Sequence, residues 1–131
     1  MALWRILVYR LEDGTCPIRD WYDQQDDEVQ ALFDASMTIL SATADWTDTW
    51  RFKVLTKNHA GLGEVRFKLE GPPIRRFRPA GIWPPSDERE FVLLVGCEKW
   101  RHVYNPEDAF IKALEYKEKL EAGEGYTDEY F

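Results

Sequence analysis

Cysteine is scarce in this chain, with two residues in 131. Cys16 and Cys97 lie far apart and make no CxxC or Cys/His ligand spacing, which excludes a disulfide scaffold and a structural zinc site and points to a reduced protein. Cys97 sits inside an apolar run and reads as a small core residue. Long apolar runs are lacking too. No stretch approaches the roughly 18 residues of a membrane span, and the opening segment MALWRILVYR is broken by Arg5 and Arg10 and has no small-residue cleavage site. Neither export nor membrane insertion is expected, and the expected location is the cytoplasm. The chain also lacks an internal repeat, a glycine-rich phosphate loop, a Ser/His/Asp spacing and a metal motif, so no cofactor or metal is expected.

Positive net charge is likewise missing. The formal charge is −7, which on its face argues against a nucleic-acid partner. The distribution says otherwise. Residues 1–49 carry 3 basic and 10 acidic side chains, residues 50–104 carry 11 basic and 6 acidic, and residues 105–131 carry 3 basic and 8 acidic. Affinity for phosphate follows local cation clusters rather than the total, so a basic middle between acidic ends can still hold a polyanion. The bland alternative is a solvated strand face whose cations discourage edge pairing.

At 44% hydrophobic residues the chain is long enough for one domain with a real core, taken as residues 1–123, followed by an acidic, aromatic tail at 124–131. Residues Leu3 to Leu11 alternate like a half-buried strand. Pro17, preceded by Thr15 or Cys16 as cap, opens a helical hairpin or bent helix whose apolar stripe runs Ile18, Trp21, Tyr22, Val29, Leu32, Phe33, Met37 and Leu40. The acidic cluster from Asp23 to Glu28 marks the bend. Residues 44–60 carry no sustained period and predict a connection with one short strand or turn.

The strand EVRFKL follows Gly61 and Gly63 and places Arg66 and Lys68 on one face. After the turn Gly71-Pro72-Pro73, the return strand IRRFR brings Arg75, Arg76 and Arg78, with Arg75 and Arg76 pointing to opposite faces. The proline-rich connection from Pro79 to Glu90 holds Ile82 and Trp83, which must fold back or meet a partner. FVLLVGC, from Phe91 to Cys97, reads as the middle of the sheet. Asn105 as cap and Pro106 in first position predict a last helix that Gly123 stops. A lone His59 reads as a surface or capping residue with a possible functional role.

The order of these elements, together with GLGEVRFKL, FVLLVGCEKW and PEDAFIKALEYKEKL, resembles the RelE/ParE superfamily of toxins from type II toxin-antitoxin systems, in particular its phage-derived HigB-like branch. The resemblance spans roughly residues 3–122. It implies an α+β fold in which a small curved, mainly antiparallel sheet of about four strands carries helices packed on one face, in the order β-α-α-β-β-β-α. It also implies a ribosome-dependent mRNA endoribonuclease (an mRNA interferase) that uses the ribose 2′-hydroxyl as nucleophile and needs no metal.

By the same resemblance Lys68, Arg66, Arg75 and Tyr104 form the catalytic set. Lys68 would be the general base, Arg66 and Arg75 the phosphate ligands, and Tyr104 the aromatic that positions a nucleotide. Lys57, His59, Arg76, Arg78, Lys99 and Arg101 are expected to bind nucleic acid. Glu98 stands where the nuclease subgroup carries an arginine. The implied partners are a cognate antitoxin, a small helix-turn-helix protein, and the ribosome with its message. The alternatives are a ParE-like inhibitor of gyrase and a non-toxic partner-binding module of the same fold. A further expectation is that the segment from Glu124 to Phe131 covers the basic sheet as a mimic of RNA, against the simpler reading of a frayed tail.

Overall fold

The computed structural model describes residues 3–87 and 89–130; Glu88 of the proline-rich connection and Phe131 of the tail lie outside them. The described chain runs β1 (Arg5–Arg10), α1 (Pro17–Asp23), α2 (Asp27–Ser41), β2 (Phe52–Val54), β3 (Leu62–Val65), β4 (Phe67–Leu69), β5 (Arg75–Phe77), β6 (Ala80–Ile82), β7 (Glu90–Val95), β8 (Glu98–Trp100), β9 (Val103–Asn105), α3 (Ala109–Glu121) and β10 (Tyr126–Glu129). Local chemistry sets the first helices. Pro17 takes the first turn of α1, where a missing amide costs nothing, and the Asp26 side chain caps α2 by accepting from the Val29 amide at 3.1 Å.

The class is α+β, but the expected single sheet of about four strands with helices on one face is overturned. Among the described residues ten strands form two sheets, one of six in the order β10-β1-β7-β6-β3-β2 and one of four in the order β4-β5-β8-β9. Helices cover both faces of the larger sheet. The reason lies in β1 and β7, which run parallel and are apolar at both parities. Ile6, Val8, Phe91 and Leu93 pack with Phe33, Met37 and Leu40 of α2, while Leu7, Tyr9, Val92 and Leu94 pack with Ala109, Phe110 and Ala113 of α3. A strand buried on both sides needs cover on both sides. The half-buried reading of residues 3–11 fails for the same reason.

Three strand runs, β3 to β4, β5 to β6 and β7 to β8, cross between the two sheets and break where they do so. The breaks fall at Arg66, at Arg78 and Pro79, and at Gly96 and Cys97. Pro79 has no amide to give to a ladder, a register shift sits between Ala80 and Gly81, and a side chain on Gly96 would lie 2.1 Å from the Trp21 ring. The three breaks are tied side by side. The Val65 amide donates to the Pro79 carbonyl at 2.7 Å, and the Arg78 amide donates to the Cys97 carbonyl at 2.8 Å. They form one crease across the protein.

The remaining segments fold back. Trp46, whose indole donates to the Leu40 carbonyl at 2.8 Å, sits in an aromatic nest with Trp4, Phe52, Trp83 and Phe91, which gives Trp83 its shelter. Asn105 belongs to β9, and α3 starts at Ala109 behind Asp108, so the expected Asn105 cap is corrected. Through Tyr130, the last described residue, the tail neither frays nor covers the basic sheet. Its strand β10 pairs antiparallel with β1 at the far edge of the larger sheet, where Glu129 meets Arg5, Asp128 meets Arg10 and Tyr130 donates to Asp34.

Candidate nucleic-acid interface

The smaller sheet has one covered face and one open face. Phe67 and Phe77, with rings stacked at 5.1 Å between centroids, sit on the covered side against Phe33 and Trp21 from the helices. The residues between them point the other way. Strand pairing sets Lys68 of β4 opposite Arg76 of β5, Arg76 opposite Lys99 of β8, and Lys99 opposite Tyr104 of β9. Four adjacent strands thus carry three cations and a tyrosine in one in-register row.

Three like charges directly opposed on neighbouring strands repel one another and cost stability. Lys68 has Glu70 at 3.2 Å, but among the described residues no carboxylate lies within ion-pair distance of Arg76 or Lys99. The Lys99 ammonium lies 5.4 Å from the centre of the Tyr104 ring, and that ring packs edge-on against Phe110 at 4.5 Å, which holds it in place. His59 closes the same corner, 4.9 Å from Phe110. Lys57 is exposed beside it on a short turn, with a positive φ of 58°. Arg101 is at the tip of the β8–β9 hairpin, next to Trp100.

The crease supplies two more cations. Arg66 donates from Nε to Glu64 Oε1 at 3.0 Å, and Arg78 Nε lies 3.9 Å from the same oxygen. Glu64 is buried, at 1% side-chain exposure. Burial pushes the Arg78 guanidinium down from its ordinary value while Glu64 pulls it up, and burial followed by the Glu64 charge pushes the Tyr104 phenol up. Sequence reasoning missed Glu64. The usable signal was its parity, since it shares a face with Leu62 below it and Arg66 and Lys68 above it.

Of the expected catalytic set, Lys68, Arg66 and Tyr104 share this face and Arg75 does not. Arg75 pairs across the ladder with Leu69, on the covered side, and donates both Nε and Nη2 to Glu98, at 2.9 and 2.8 Å. The hydrogen bonds to Glu98 raise the pKa of the Arg75 guanidinium, and Asp26 stands 3.9 Å from it. Arg76 fills the place in the row that the resemblance gave to Arg75. Adjacent residues on a strand point to opposite faces, and Arg75 shares the covered side with fully buried Phe77 two residues on, where Glu98 receives its guanidinium.

The cleft between α1, the end of β7 and α3, lined by Trp21, Gly96, Ala109 and Tyr116, contains none of these cations. A ligand would lie across the sheet, as a strand of nucleic acid does on an aromatic and cationic platform. Among the described residues no group of three His, Cys, Asp or Glu side chains is arranged to hold a metal, and no helix is long and apolar enough to cross a membrane. No known protein family, curated protein or solved structure matches the chain.

Proposed function

We propose that the open face of the smaller sheet binds single-stranded RNA, and that the protein is the toxin of a type II toxin-antitoxin pair of RelE/ParE kind, cutting messenger RNA in the ribosome. The observation that carries this reading is the row Lys68, Arg76, Lys99 and Tyr104. Opposed cations are unfavourable alone and favourable around a polyanion, and the tyrosine at the end of the row offers a π-face to a base.

Cleavage would need no activated water. The ribose 2′-oxygen attacks the adjacent phosphorus and the bond to the 5′-oxygen breaks, leaving a 2′,3′-cyclic phosphate and a free 5′-hydroxyl. Lys68 is the residue that takes the 2′ proton, Lys99 returns one to the leaving oxygen, and Arg66, Arg76 and Arg78 stabilise the charge that builds on phosphorus. A cognate antitoxin would present acidic side chains to the same face.

Primer extension on translated messages after induction tests this. The reading expects new cleavage sites that disappear when Arg76→Ala is combined with Lys99→Ala; no cleavage by the wild-type protein would rule out the nuclease. A second reading, growth arrest through binding without cleavage, is favoured by the placement of Arg75, whose pairing with Glu98 removes one expected phosphate ligand from the face. Arrest with messages intact would select it.

A further inference from the structure

The residue this face depends on is Glu64, which the reading so far uses only as a neighbour. Its carboxylate is buried at the crease, where β3 ends, and it shares one oxygen, Oε1, with two guanidinium groups from different strand runs. Arg66 contacts that oxygen with both Nε, at 3.0 Å, and Nη2, at 2.9 Å, so one edge of its planar fork is fixed. Its side chain is 32% exposed, and its remaining donors are on the other edge. Arg78 is held from two sides: Nη1 donates to the Phe77 carbonyl at 2.8 Å and Nε faces Glu64 from 3.9 Å, with the side chain 12% exposed.

The group is incomplete as it stands. Arg78 Nε, a donor, is buried and without a hydrogen-bond partner among the described residues; so is Glu64 Oε2, but as an acceptor it calls for a donor and not for an anion. Two guanidiniums and one carboxylate also leave a net charge of +1 in a place where water screens poorly. One monoanion would bring the sum to zero. A phosphodiester is such a monoanion, and the planar forks of two arginines suit its two free oxygens.

We propose that Glu64, Arg66 and Arg78 form a built site for a single phosphodiester group, in which Glu64 is the positioning residue that aims two guanidiniums at one phosphate. This deepens the RNA reading and rests on it for the polymer, though not for the phosphate. The crease site is next to the row, because Arg66 and Arg78 lie two residues along their strand runs from Lys68 and Arg76, which pair with each other. The scissile phosphate would therefore be gripped by Arg66 and Arg78 beside the stacking ring, with Lys99, Arg76 and Lys68 along the row next to it.

The test turns on a sign. Removing a negative charge from a basic face by Glu64→Gln should tighten RNA binding if Glu64 merely neutralises, because the face becomes more positive. A positioning role requires the opposite: weaker binding by about tenfold, the size of one lost charge-assisted contact, with a salt slope shallower by about 0.7 for the lost phosphate. Anisotropy of a labelled single-stranded RNA over a salt series reads both quantities. Arg66→Lys keeps the charge and loses the fork, so it carries the test if Glu64→Gln fails to fold; it should weaken binding similarly.

Tighter or unchanged binding in a folded Glu64→Gln, or unchanged binding in Arg66→Lys, overturns the proposal. Dimethyl phosphate, a monoanionic diester, separates the two claims. Its addition should shift the Arg66 and Arg78 Nε–H resonances of the wild-type protein. Shifts without RNA binding would keep the phosphate site and discard the RNA reading; no shift would discard the site.

Discussion

The two sheets solve opposite problems with one set of strands. In the larger, β1 and β7 are apolar at both parities and helices close both faces; in the smaller, β4 and β5 put Phe67 and Phe77 on one face, while β4, β5 and β8 put Lys68, Arg76 and Lys99 on the other, where Lys68 and Arg76 are exposed. The first region spends its side chains on burial and the second keeps a charged surface in register. The crease at Arg66, Arg78 and Cys97 lets the same chain do both, because it ends one ladder and starts another. Stability is expected to reside in the larger sheet and binding in the smaller.

The largest effect should come from the covered side. Phe33 is fully buried against both sheets, and Phe33→Ala is expected to cost about 3–5 kcal/mol of unfolding free energy, measured by urea denaturation. A cost near that of a surface change would break the comparison, since the helix layer would then not be holding the strands.

A smaller effect concerns pH at the edge of the larger sheet. Asp34 of α2 accepts from Tyr22 of α1 at 2.8 Å and from Tyr130 of the tail, so two phenols latch α1 and the tail to α2. Burial first and Asp34 second push Tyr22 from 10.0 up to about 12, and the same causes raise Tyr130. In the unfolded chain these phenols ionise near pH ~10. The stability they contribute is therefore whole below about pH 10 and is lost as pH rises toward the folded value near 12. Urea midpoints at about pH 9 and about pH 11.5 should show that loss, and Tyr22→Phe with Tyr130→Phe should flatten it. An equal loss in the double variant would contradict the latch.

The smallest effect is on the open side. Arg76 is exposed and without a carboxylate partner among the described residues, so Arg76→Ala should change stability by no more than about 0.5 kcal/mol, or raise it slightly by relieving repulsion from Lys68 and Lys99. A large loss would mean that the row is structural.

The parts of this arrangement visible in the sequence are those that local pattern determines. The double-sided apolar run at Phe91 to Cys97, Pro17 at the start of α1 and Gly123 after α3 all announce themselves. Alternation also carried the fact that Arg75 and Arg76 part ways, but which of them turns to the open face depends on Phe77 being buried under the helices, a tertiary fact. The crease was hidden because a single residue, Arg66, separates β3 from β4 and the period-two pattern continues through it. Strand β10 was hidden because what pairs its acids is Arg5 and Arg10 at the opposite end of the chain. Glu64 was hidden because a charged residue in a strand reads as a solvent face until its partners are known.

A direct measurement of the central claim is the backbone and side-chain chemical-shift footprint of a short single-stranded RNA on the folded protein. The account predicts shifts concentrated at Lys68, Arg76, Lys99 and Tyr104 and at Arg66 and Arg78 in the crease, with α2 and β10 unmoved. Shifts centred on Arg75 and the helix side, or no footprint at moderate salt, would contradict it.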